Sequence, residues 1–140
     1  MKRFSPSQIL GGILTVVVLS AIVAALLVFG SPAEERARRL DARRVQDLTN
    51  IANAVDVYWT RHARLPASLE ELRNEPVGHV DYHDPRTNDT YGYRSLEPNK
   101  YELCGQFDGD SRSSDRASRD GFWSHGAGRQ CFQREANKIR

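Results

Sequence analysis

Between Phe4 and Ala33 the chain carries no charged residue, whereas every acidic residue and all basic residues except Lys2 and Arg3 lie beyond that run. A soluble globule spreads its charge along the chain, so this segregation points to a membrane segment. Ile9 to Phe29 consists of Leu, Ile, Val, Ala, Gly and Phe, interrupted only by Thr15 and Ser20. As a helix it is roughly 32 Å long, which matches a bilayer core. Ser5 and Gln8 make a capping box around Pro6, and Gly30 allows a break before Ser31 caps a second helix with Pro32 at its first position. Glu34 and Glu35 then sit at the positive end of that second helix dipole. Ser31 and Ala33 also give a small-x-small cleavage pattern, but signal-peptide apolar cores run to only ~7–15 residues, so residues 1–30 are read as an uncleaved anchor. Small residues recur as Gly11 and Thr15, Ser20 and Ala24, and Ala21 and Ala25, which suits close packing against another transmembrane helix.

The 140 residues allow one modest domain beside the anchor. Lys2 and Arg3 account for the formal net charge of +2, so the rest of the chain is balanced and offers no positive field for nucleic acid. No catalytic constellation is present in the sequence, and neither a cofactor nor a small-molecule substrate is expected. For orientation, Arg36, Arg38, Arg39, Arg43 and Arg44 following the span favour a cytoplasmic domain by the positive-inside rule. Cys104 and Cys131 favour the opposite side. They are too far apart for a CxxC motif and lack partners for a zinc cage, so one structural disulfide in an oxidising compartment is their simplest use. The two arguments conflict, and the family resemblance given below helps to favour an extracytoplasmic domain.

Residues 31–63 read as an amphipathic stem helix, with Ala37, Leu40, Leu48, Ile51, Ala52, Val55, Tyr58 and Trp59 at three-and-four spacing. The five arginines fall in its first turns and are assigned to lipid headgroups, with Asp41, Asp47 and Asp56 compensating in part. Leu65-Pro66 ends the helix, and Ser68 with Glu71 signals a capping box for a short second one. Residues 64–140 complete a single domain with the stem. Tyr91 and Tyr93, a Glu97-Pro98-Asn99-Lys100 turn, and Tyr101, Leu103 and Phe107 spell an antiparallel hairpin, and Arg129 to Gln133 a third strand. The expected fold class is α+β: a long N-terminal helix packed on a small antiparallel sheet, with Tyr58 and Trp59 against Tyr101, Leu103 and Phe107. A Cys104–Cys131 bond would join the second strand to the last.

Asp47-Leu48, Ile51, Ala54-Val55, Tyr58, Leu65-Pro66, Ser68-Leu69, Leu72, Asp84-Pro85, Tyr91, Tyr93 and Tyr101-Glu102-Leu103 occur in an order that resembles the type II secretion major pseudopilins of the type IV pilin-like group. The resemblance covers Asp41 to Phe107, about half the chain. It implies a pilin-like fold, with an Asp-Pro loop leading into the first strand, and a periplasmic domain on the bacterial inner membrane. Family members begin with Phe-Thr-Leu-x-Glu, whose Glu pairs with a neighbouring amino terminus in the filament. Here Gly11-Gly12 is followed by Ile13-Leu14-Thr15, and the first acidic residue is Glu34. The expectation is therefore a non-catalytic accessory or structural subunit of a membrane protein assembly, in contact with membrane lipid and other membrane proteins. A pseudopilin-like filament subunit is the alternative.

Remaining candidates are weaker. His79 and His83 with Asp81 and Asp84 have zinc-ligand types, but Pro76, Gly78 and Pro85 deny them the helix that would aim both rings one way. The family resemblance implies a calcium loop late in the sheet, for which Asp108, Asp110 and Asp115 are the candidates, although Arg112, Arg116 and Arg119 nearly neutralise it. Phe122 to Gly126 is an aromatic-polar cluster, read first as cover for the open edge of the core. The alternative is a partner surface centred on Trp123 and Arg129.

Overall fold

A computed structural model describes residues 5–29, 31–75, 80–111 and 121–139, with no side chains described for 26–29. The chain divides into two compact units, Met1–Arg36 and Ala37–Arg140. In the first, helix α1 runs over Pro6–Phe29, 24 residues. Ser5 N–H donates to Gln8 Oε1 at 3.0 Å, while the Ser5 hydroxyl pairs with Ser7 instead of closing the expected box. The polar interruptions are satisfied internally: Thr15 Oγ1 donates to Gly11 O and Ser20 Oγ to Val17 O, each at 2.9 Å. Its apolar side chains are exposed, Leu10 by 74% and Leu14 by 66%. Helix α2 spans Pro32–His62. Its start closes reciprocally, with Glu34 N–H donating to Ser31 Oγ at 3.2 Å and Ser31 N–H to Glu34 Oε2 at 3.3 Å.

The second unit is built from α2 and three antiparallel strands in the order β1 (Gly92–Glu97), β2 (Lys100–Phe107) and β3 (Gly128–Glu135). Pro98-Asn99 turns β1 into β2, with Tyr93 facing Leu103 and a register shift between Ser95 and Glu97. Along β2 and β3, Leu103 pairs with Phe132 and Cys104 with Cys131. Because side chains alternate across a sheet, Tyr101, Leu103 and Phe107 share one face and are buried with Leu48, Ile51, Val55 and Tyr58 of α2. Gly105 lies beneath the helix, where a Cβ would make ordinary contacts with Phe107 and, at 3.5 Å, with Leu48 Cδ1. Trp59, Ala37 and Leu40 are only half-buried, so the buried stripe of α2 runs chiefly from Asp41 to Tyr58.

The link from helix to sheet departs from expectation at one point. Leu69–Asn74 is a short 3-10 helix, and Ser68 makes no side-chain capping bond. Glu71 is instead drawn across to the Tyr58 hydroxyl of α2 at 2.6 Å and to Arg64, just beyond that helix, at 3.3 Å. The Glu71 carboxylate keeps a local backbone bond to Ala67, while the Ser68 hydroxyl turns to Glu70. Downstream, Tyr82 O accepts Tyr91 N–H and Asp89 O accepts Asp84 N–H, folding Asp84-Pro85 into a tight loop that feeds β1.

Candidate functional site

The most concentrated chemistry in the Ala37–Arg140 unit is a buried charge cluster around Arg44. This side chain was assigned above to lipid headgroups, but it is 1% exposed and points into the protein. Its guanidinium forks onto Asp84, with Nε at 2.5 Å from Oδ2 and Nη2 at 3.2 Å from Oδ1. Nη1 donates to Asp41 at 2.7 Å and to Asp108 at 2.9 Å. Burial opposes its charge, yet hydrogen bonds to Asp84, Asp108 and Asp41 outweigh burial and hold the guanidinium above its usual range. The correction has a simple cause: residues 44, 48, 51, 55 and 58 lie on one face of α2, so Arg44 extends the apolar stripe and carries its charge inward with it.

Two of the three carboxylates are also held by backbone, and the third by a second arginine. Asp41 accepts the N–H groups of Asp108 at 3.0 Å and Gly109 at 2.8 Å. Asp84 accepts those of Arg86 at 2.8 Å and Thr87 at 3.0 Å. Asp108 Oδ1 receives Arg86 Nη1 at 2.9 Å. For Asp84, burial pushes the carboxyl up, but Arg44 and the two backbone donors leave it below the ordinary range. Arg44 likewise holds Asp108 down. Asp41, Asp47 and Asp56, expected as surface compensation, are all buried. Asp47 accepts Arg43 Nε at 3.2 Å and the Tyr91 hydroxyl at 3.1 Å, and Asp56 accepts Asn137 N–H at 2.9 Å. Burial raises both of these carboxyls.

The remaining arginines of the stem, Arg36, Arg38, Arg39 and Arg43, are exposed. On the sheet face opposite α2, Cys104 and Cys131 form a disulfide. Glu102 stands beside the two sulfurs, but a disulfide offers no thiolate to a metal. Of the zinc-type residues, His79 lies outside the described residues. His83 is exposed and bridges Thr90, Asp81 accepts the His83 N–H, and Asp84 is committed to Arg44. Of the calcium candidates, Asp115 lies outside the described residues. Asp110 is exposed, and both oxygens of Asp108 are taken by arginines.

The aromatic cluster covers the core more than it presents a surface. Trp123 is 7% exposed and meets Phe132 and Phe122 edge-on, with centroids 5.0 and 4.9 Å away. It is thus a cover, and the ring left accessible is Phe122, 50% exposed, with the Arg134 guanidinium 5.2 Å above it. A shallow cavity of about 600 Å³ opens here between Phe122, Trp123 and the Gln133–Glu135 stretch of β3. Arg129 is exposed and lies elsewhere, over the disulfide face beside Gly92. His125 stacks on Phe107 at 3.8 Å and is held by Ser111 through backbone and hydroxyl bonds. Comparison with known protein families, with curated proteins and with solved structures finds no match to the chain.

Proposed function

We propose that this chain is a single-pass protein of the bacterial inner membrane whose pilin-like domain stands in the periplasm and acts as a non-catalytic accessory or structural subunit of a membrane protein assembly. The observation that carries this reading is α1. Pro6–Ala25 is long and apolar enough to cross a membrane, with a mean hydropathy of 2.3, and none of that stretch is buried. Such a helix needs lipid or other helices around it, and the faces lined by Gly11 with Thr15, Ser20 with Ala24, and Ala21 with Ala25 suit the second. With the Thr15 and Ser20 hydroxyls turned onto their own backbone, these faces offer close van der Waals packing. The Cys104–Cys131 bond supports the periplasmic address, and the exposed Arg36, Arg38, Arg39 and Arg43 support contact with anionic headgroups at the membrane edge. The order of helix, Pro66 turn, Asp84-Pro85 loop and antiparallel strands supports pilin-likeness.

The address is testable in cells. After alkaline carbonate washing the protein is expected to stay in the membrane fraction. A membrane-impermeant maleimide added to intact cells after mild reduction should then label Cys104 and Cys131. Release by carbonate, or labelling only after lysis, would contradict the proposal.

A further inference from the structure

We propose that Arg44 is a built-in counter-cation, filling the place among three carboxylates that a divalent ion would otherwise take, so that the loops bearing Asp84 and Asp108 are tethered to α2 without metal. Asp41, Asp84 and Asp108 arrive from three separate segments and converge on one guanidinium. Hard oxygen donors gathered from distant segments are what a calcium or magnesium site requires. Here the backbone donors to Asp41 and Asp84 orient the carboxylates whichever cation lies between them. The calcium implied by the pseudopilin resemblance does not fit this cluster, because Asp108 gives Oδ2 to Arg44 and Oδ1 to Arg86. A guanidinium carries its charge at every accessible pH and is covalently attached, so neither dilution nor a chelator removes it. Losing it would leave Asp108 with Arg86 and leave Asp41 and Asp84 with their backbone donors.

The test uses the full-length protein in a mild detergent, with thermal unfolding followed by tryptophan fluorescence in millimolar calcium chloride and, separately, in EDTA. The wild-type Tm is expected to be the same in both. Arg44→Ala should melt lower in EDTA and recover part of the loss in calcium, with a saturable dependence that the further change Asp108→Asn removes. A wild-type Tm that falls in EDTA would overturn the proposal, as would a folded Arg44→Ala protein indifferent to calcium. Should Arg44→Ala fail to fold in either buffer, Arg44→Lys decides. Lysine keeps the charge, so this variant is expected to fold and ignore calcium, and a calcium-dependent Tm would contradict the internal-cation role.

Discussion

Arg44→Met is expected to destabilise the Ala37–Arg140 unit by about 3–5 kcal/mol, the usual result of removing one partner from a buried ion cluster. The arginine is 1% exposed and Asp84 and Asp41 are 6% and 5% exposed, so these two carboxylates are shielded from the solvent that reaches Asp108. In a unit of this size that corresponds to a Tm lowered by more than roughly 10 °C. Arg38→Met removes an exposed side chain from the same helix and should stay within about 0.5 kcal/mol of wild type. Arg44→Lys should fall between them, because an ammonium cannot fork onto Asp84 and reach Asp41 and Asp108 together. Unfolding of the full-length proteins in mild detergent is the measurement, and an Arg44→Met protein as stable as Arg38→Met would refute the buried cluster.

The same cluster sets the acid response. Asp84 and Asp108 have lowered folded-state pKa values, so their contribution is complete above the unfolded-state range near 4 and is lost as pH falls through the lower folded values. Asp47 and Asp56 are raised by burial and act with the opposite sign, their penalty easing as pH drops through their folded values. Stability should therefore hold or rise slightly from neutral into mild acid and then decline steeply below about pH 4. Arg44→Met should flatten that final decline.

The second large effect belongs to the disulfide. Cys104→Ser or Cys131→Ser should cost about 3–4 kcal/mol by the chain-entropy account for a sequence separation of 27. Both residues lie on the face opposite α2, Cys104 buried and Cys131 exposed, and serine nearly matches cysteine in size, so substitution mainly removes the cross-link. The double variant should consequently be no less stable than either single one. An unchanged melting curve, or free thiols at both positions in the native protein, would contradict a structural role for the bond.

Short-range patterns were readable in the sequence where short-range chemistry decides the outcome. Alternating Tyr93, Tyr101 and Leu103 around Pro98-Asn99 fall in β1 and β2, with Tyr91 just before β1, and Ser31 with Glu34 closes its cap. Burial of Arg44 depends on partners 40 and 64 residues away, which no local pattern encodes. A signal was nevertheless present, since Arg44 stands in phase with Leu48, Ile51 and Val55, and Asp41 lies one turn before it. Reading the five arginines as one solvated group hid that phase. Ser68 and Glu71 do not close a capping box, because Glu71 spends its carboxylate on Tyr58 and Ala67 and the Ser68 hydroxyl pairs with Glu70. Trp123 covers the core as its aromatic cluster suggested, and its position beside Phe132 turns it inward and leaves Phe122 outside.

Native mass measurement after extraction of the full-length protein in mild detergent tests the central proposal most directly. A discrete assembly containing this chain and other membrane proteins is predicted, and it should weaken when Gly11 and Thr15 of α1 are both replaced by bulky Ile. A protomer that travels alone, or a ladder of homo-oligomers as a filament subunit would give, would contradict the accessory-subunit account.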